Sequence, residues 1–495
     1  MPPEIMPADS QSASSHRAPT RGPARLRRAR TSVACLVTAL TTAFTCLAAP
    51  LSTAPATAAA PHPQAHVART RVMDGIQLGI AFDYNAPNAS ALSENVAYIW
   101  GGYFLNWILP LHPLVPRIDG YMSFDSDPWS QSSPGHSLQY WRSVHPDWIV
   151  YRCDRRTPAY YSSNDTSVSL DFTNPAVRAW QLAQLAGLFA QGATGVAFDD
   201  FNFENAAGRC GVYRNGVWTK LGYPQLGQTN ARLSKDMLTW LRAMSSMVRR
   251  TYPGKTMTAA VSPSVSGLAN VKAAAPYLDM IFDESGYTDY GKRRLTGSAW
   301  DAETAALDYL NRHGKGFDIN AIVNVPNDAA VTPSQLSWAL ANYLLVKGAR
   351  SYTYVYGGKG LGFGGSPLGY GTFFARPEYH IPVGHPVSSA YVSNRLHMRR
   401  YSGGLVMVNA TDSARYMIRL GRTYKNMEGR TISLVTLSPG TGIVLLTSPS
   451  QRKQQKRSSG SSCVTPRLYT APGSRTRLTR SRTTTLRVVL RCPAV

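Results

Sequence analysis

From Leu78 onward, short apolar runs alternate with longer stretches whose apolar residues recur at helical spacing. Eight runs read as strands: Leu78–Asp83, Ala97–Gly101, Gly120–Ser126, Gly195–Asp200, Met257–Ser262, Met280–Glu284, Asn320–Asn324 and Ser351–Tyr356. Between them, Pro175–Gln191, Ala231–Thr251 and Pro333–Val346 read as amphipathic helices. Thr173-Asn174-Pro175 and Thr332-Pro333 supply start signals, a polar cap followed by proline in the first turn. Strand–helix alternation over this length implies parallel pairing through crossover helices. Eight such units predict a closed (β/α)8 TIM barrel of the α/β class over residues 61–386. A ninth run, Asp147–Cys153, would spoil the count. It is expected as a hairpin within the long excursion of residues 127–174, whose Pro, Ser, Tyr and Trp suit the wall of a site.

The pattern then changes. From Arg395 to Leu446 the runs GLVMVNA, YMIRL, TISLVTL and GIVLL are separated by Gly, Asn and Ser-Pro-Gly turns. This is an antiparallel pattern, and it predicts a small β domain over residues 387–448. Residues 449–495 turn to Gln, Arg, Ser and Thr and read as a basic linker and tail.

Both ends alter the picture. Residues 17–30 carry six arginines, an apolar run follows from Val33 to Leu51, and small residues lead to Ala60. That order is the order of a secretory signal, expected over residues 1–60, with no stable membrane span once it is cleaved. Of the net charge of +24, the tail 451–495 contributes +11 and residues 1–60 contribute +4. A basic tail on an exported chain suits contact with an anionic wall polymer, or simple solvation. No nucleic-acid recognition module is visible, and export argues against such a partner. Of the six cysteines, Cys35 and Cys46 would leave with the signal. Four remain, and the pairing expected within modules is Cys153–Cys210 and Cys463–Cys492. No spacing suggests a metal site, and no cofactor motif is present.

In a barrel of this kind, side chains at the C-terminal ends of the strands converge on one site. Here those ends carry acids: Asp83, Asp125, Asp199-Asp200 and Asp283-Glu284, with Tyr354 and Tyr356 on the eighth strand. Charges beside runs such as GVAF and MIF are costly unless solvated or paired. For Asp83 and Asp125, pairing with Arg152, Arg155 or Arg209, or a hydrogen bond to substrate, is the favoured role. Glu204 lies past the strand end and ranks lower. Successive residues of a strand point to opposite faces, so Asp199 and Asp200 are not expected to serve the axis together. Asp199 is therefore assigned to the axis, with a partner from the sixth strand. Aromatic residues expected at the mouth, among them Trp100, Tyr354 and Tyr356, offer faces on which sugar rings stack.

The stretches HPDWIVYRCDRRTPAY, SLDFTNPAVRAW and GATGVAFDDFN resemble glycosidase barrels related to endo-α-1,4-polygalactosaminidases. Two motifs carry the resemblance. One is Leu170-Asp171-Phe172-Thr173-Asn174-Pro175-Ala176-Val177-Arg178, which opens the helix before strand four, and the other is the strand-four ending Gly195 to Asp200. The resemblance implies cleavage of a polysaccharide or glycoconjugate by paired carboxyl groups, with catalytic Asp199 and Glu284. Asp200, Asp283, Asp83, Asp125, Trp100, Arg155, Tyr354 and Tyr356 would contact substrate or tune the acid. Asp200 departs from the Asn frequent at that position, and Asp283 beside Glu284 leaves either acid open as the donor. The alternative from another class is a barrel that binds glycans without cutting them, held at a surface by its tail.

Overall fold

The computed structural model describes residues 74–81, 96–102, 115–126, 135–160, 167–358, 374–393, 395–448 and 467–469. The expected signal segment, Asp83, and the Cys463–Cys492 pairing lie outside the described residues. The chain divides into Met1–Ala65 and His66–Val495, and every described residue belongs to the second unit.

Eight parallel strands close a barrel: β1 (Leu78–Ala81), β2 (Val96–Gly102), β3 (Ile118–Ser123), β4 (Gly195–Asp199), β5 (Thr256–Ala260), β6 (Met280–Asp283), β7 (Gly316–Asn324) and β8 (Ser351–Gly358). Each strand pairs with its neighbours in chain order, and β8 returns to β1. These are the eight apolar runs of the sequence. Among the described residues, besides the short helix Leu138–Val144, five longer helices lie between barrel strands: α1 (Pro175–Ala190), α2 (Ala231–Thr251), α3 (Pro263–Ala274), α4 (Gly297–Arg312) and α5 (Pro333–Val346). Asn174 caps α1 by accepting from the Ala176 N–H, and Thr332 with Gln335 forms a reciprocal capping box on α5. The predicted starts of α1 and α5 therefore rest on satisfied backbone donors.

The interior near the strand starts is polar. Asp119 on β3 is fully buried and pairs with Arg117 at 2.8 Å. It also accepts from Tyr98, Thr256 and Thr258, which come from β2 and β5. This network fills the axis so closely that a Cβ on Gly195 would lie 2.4 Å from Asp119 Oδ1. Only glycine can start β4 there. Higher up, Trp100 on β2 crosses the axis and stacks on Phe282 of β6, ring centroids 4.0 Å apart.

Val150–Tyr151, the core of the ninth run, stays off the barrel. It pairs with Gly211–Arg214 from the segment after β4, rather than only within its own excursion. The two segments thus form one lobe. Cys153–Cys210 joins them, as expected from the sequence, and Asp125 and Arg209 form a buried ion pair at 2.7 Å beneath it.

The C-terminal sheet contains β9 (Tyr391–Ser393), β10 (Leu396–Tyr401), β11 (Gly404–Asn409), β12 (Tyr416–Lys425), β13 (Thr431–Leu437), β14 (Thr441–Leu446) and β15 (Arg467–Tyr469). The last strand pairs with β12, so the sheet reaches beyond the boundary at residue 448 expected from composition. Helix α5 is buried at every position from Trp338 to Val346, because barrel strands cover one side and β11 and β14 the other. A helix apolar all round is one covered all round. Arg399 on β10 donates to the carbonyls of Leu344, Leu345 and Lys347, which satisfies the open end of α5.

Replacing both Cys153 and Cys210 by Ala is expected to lower unfolding stability by about 2–4 kcal/mol, since the bridge closes a long loop. Urea denaturation of the two proteins measures the difference, and proteolytic nicking of the variant should begin in the lobe.

Candidate active site

The side chains of β4 alternate around its pleat. Gly195 faces the axis network, while Phe198 packs edge-on against Trp240 of α2, outside the barrel. Parity therefore turns Asp199 toward the axis at the C-terminal mouth. Parity does not carry on to the next residue. Asp200 has a φ of 61°, in the left-handed region, so the pleat ends there and its carboxylate swings back. Ser123, at the end of β3, donates to Asp200 Oδ2 at 3.3 Å. The negative charge of Asp200 also acts on Glu284, more strongly than that of Asp283. The direction of Asp200 is thus set by this backbone turn and not by strand alternation.

Glu284 follows β6 and is 7% exposed. Burial, then the negative charges of Asp200 and Asp283, push its carboxyl up from 4.5 to about 8. A buried carboxyl among like charges stays protonated because ionising it would place a third negative charge in a site with little water. Asp283 is turned the other way by the pleat. Its Oδ1 accepts from Ser285 N–H at 3.1 Å and Ser285 Oγ at 2.8 Å, and the residue is fully buried. It acts on the mouth through its charge and not through contact with a ligand.

The loop after β6 brings in residues that sequence reasoning missed. Asp289, Tyr290 and Gly291 all have positive φ, at 46°, 53° and 79°. Two successive non-glycine residues in that region are strained, and such strain collects at functional sites. The turn sets the Tyr290 hydroxyl 3.3 Å from Ser262 Oγ, with the charges of Glu284, Asp283 and Glu204 acting on it. Burial is the main cause that holds this phenol well above its usual range. Ser262 in turn donates its N–H to Asn202 Oδ1 at 3.0 Å. Glu204, ranked low from sequence, is half-buried with its carboxyl raised by burial and lowered by Lys292. The only local signal for Tyr290 is Gly291 after it. The left-handed turn itself is a product of packing.

Other expected site residues are placed elsewhere. Asp125 is held by Arg209 and by Ser169 Oγ at 3.0 Å, beneath the lobe. Its expected contact with substrate gives way to the pairing with arginine that the sequence also allowed. Arg155 is exposed on the lobe, with its guanidinium 5.7 Å from the Trp218 ring centroid. Trp100 and Tyr354 are fully buried and Tyr356 nearly so. Instead of offering open stacking faces, they fill the barrel: Trp100 lies on Phe282, and Tyr356 Oη accepts from the Ala81 N–H at 2.7 Å, tying β8 to β1. Tyr354 reaches Asp328 at 3.3 Å. Asp83 lies outside the described residues.

The helix-opening motif is mechanical. Asp171 accepts from Thr173 N–H at 3.1 Å and pairs with Arg214 at 2.7 Å. Arg178 donates to the carbonyls of Phe172 and Thr173, and Gln181 links Phe124 to Trp240. The motif fixes where α1 begins, and with it the height at which β4 delivers Asp199 and Asp200.

No protein-family model matches the chain, and no curated protein matches it. Among solved structures, the glycoside hydrolase domain of PelA from Pseudomonas aeruginosa is 15% identical, covering 61% of this chain and 100% of its own, with a TM-score of 0.37. Ega3 of Aspergillus fumigatus, solved in complex with galactosamine, is 13% identical over 59% of this chain and 94% of its own, with a TM-score of 0.37. Trehalose-6-phosphate hydrolase of Bacillus licheniformis is 11% identical over 76% and 100%, with a TM-score of 0.42. At such values the likeness carries no assignment of residues or substrate to this chain.

Glu284 also makes stability depend on pH. Its folded value lies above its unfolded value, so folding takes up a proton between about pH 4.5 and 8. The wild type is expected to lose stability as pH rises through that window. Glu284→Gln should flatten the loss and be the more stable protein at pH 9, by at most on the order of 4 kcal/mol. Thermal unfolding of both proteins across pH 4–9 checks the sign.

Proposed function

We propose that this chain is an exported glycoside hydrolase that cleaves a polysaccharide or glycoconjugate with two carboxyl groups at the barrel mouth. The observation that carries this reading is Glu284, a carboxyl raised to about 8 and therefore protonated at neutral pH, with the charges of Asp200 and Asp283 acting on it. Glycoside hydrolysis needs one carboxylic acid to protonate the leaving oxygen and one carboxylate to act as nucleophile or as base for water. Environments that push two carboxyl groups apart assign those parts. Glu284 takes the general acid's part. Asp199, turned to the axis by strand parity, takes the carboxylate's. Asp200 and Asp283 keep the proton on Glu284 by their charge, and the Tyr290 hydroxyl, bonded to Ser262, stands within the field of Glu284.

The finer reading concerns the sugar. The two motifs resemble those of endo-α-1,4-polygalactosaminidases, and a mouth holding Asp199, Asp200 and Glu204 suits a polymer that carries ammonium groups. Export rests on the order of arginines, apolar run and small residues before Ala60. The basic tail suits retention on an anionic wall polymer.

The purified protein is expected to release reducing ends from an α-1,4-linked polygalactosamine. Asp199→Asn and Glu284→Gln should each lower kcat by about a thousandfold or more, with unchanged circular dichroism. A variant that retained the wild-type rate would lose its place in the mechanism. Because the acid must carry its proton, kcat/KM should fall as pH rises through about 8.

A further inference from the structure

Behind the general acid lies a second pair of carboxyl groups. Asp283 and Glu303 are both fully buried. The pleat of β6 turns Asp283 away from the axis, toward α4, and Glu303 projects from α4 on the inward stripe of Trp300, Leu307 and Leu310. The two side chains lie in hydrogen-bond contact. Asp283 Oδ1 is served by Ser285, whereas Asp283 Oδ2 and both oxygens of Glu303 have no side-chain donor. The other polar group facing Glu303 is the Ser264 backbone. The remaining titratable groups near the pair are Glu284, Tyr287, Tyr290 and Asp318, none of them cationic. No Lys, Arg or His forms an ion pair with either residue among the described residues.

Two carboxylates cannot both be ionised in contact, away from water and without a cation. Both would also be acceptors, with nothing to donate between them. One proton removes both problems, since a carboxylic acid O–H donates strongly to a carboxylate. We propose that Asp283 and Glu303 share one proton, and that Glu303 is thereby a positioning residue that maintains a single negative charge next to the general acid. Burial first, and then the charge of Asp283, hold the Glu303 carboxyl well above the usual range, which puts the proton mainly on Glu303. The pair then presents one negative charge, neither two nor none, one residue away from Glu284. The role at Glu284 rests on the hydrolase reading above, whereas the shared proton does not.

The two can be tested separately. The infrared difference spectrum of the full chain at pH 9–10, wild type minus Glu303→Gln, above the titration of Glu284, should show a protonated-carboxyl stretch, while that of the buried Asp318, which burial also raises, is common to both proteins and cancels. Absence of that stretch from the difference spectrum would overturn the shared proton whether or not the protein hydrolyses anything. If the stretch behaves as stated but no polymer is cut, the hydrolase reading fails alone. For the effect on the acid, Glu303→Gln retains a donor to Asp283 and should leave the alkaline limb of kcat/KM in place. Glu303→Leu removes the donor that keeps the negative charge on Asp283. That limb should then move to lower pH by about one unit, as it should in Asp283→Asn. A limb displaced as far in Glu303→Gln as in Glu303→Leu, or unmoved in Asp283→Asn, sinks the positioning role.

Discussion

Glu284 ends a strand whose preceding residues, Met280, Ile281 and Phe282, are all buried, and the charges that act on it, Asp200 and Asp283, are both negative. Its carboxyl therefore keeps a proton at neutral pH. In water the same group would be ionised. Much of the surrounding architecture serves to keep that placement. The Asp119 network and the Trp100–Phe282 stack fill the barrel axis. The turn through Asp289 and Tyr290 sets a phenol beside it from above. The left-handed residue Asp200 returns a charge toward it that strand geometry alone would send away.

Rigidity around the mouth comes from elements that take no part in the chemistry. The motif from Leu170 to Arg178 opens α1 with a capped, proline-led turn and anchors it to the lobe through Asp171 and Arg214. The lobe is fastened by Cys153–Cys210 and by the buried Asp125–Arg209 pair. On the opposite side, α5 is clamped between the barrel and the C-terminal sheet, with Arg399 closing its carbonyl end. Carboxyl groups that must hold different protonation states need fixed distances, and fixed distances need supports of this kind.

Acids at strand ends are not one class of residue here. Asp125, just past β3, pairs with Arg209, while Asp119 near the start of β3 pairs with Arg117 and Asp171 ahead of α1 pairs with Arg214. Among the described residues Asp283 and Glu284 have no such cation, and they are the acids at the sixth strand's end. That contrast within a net positive chain separates structural carboxylates from the candidate chemistry more sharply than their positions along the sequence do.

The apolar runs determined the barrel, because a buried strand must be apolar and a crossover helix must show a covered face. The caps Asn174 and Thr332 and the pairing of Cys153 with Cys210 were legible for similarly local reasons. Glu303 had a readable signal too, an acid on the apolar stripe of its helix, although nothing along the chain named Asp283 as what it meets. Which acids gain a cation, which aromatics end in the core, and which way Asp200 turns were settled only by the closed barrel. Each depends on what stands across the axis or on an adjoining element, tens to hundreds of residues away. The charge state of a carboxyl is a property of its surroundings, and the surroundings of Glu284 exist only once β3, β4 and β6 lie side by side around one axis.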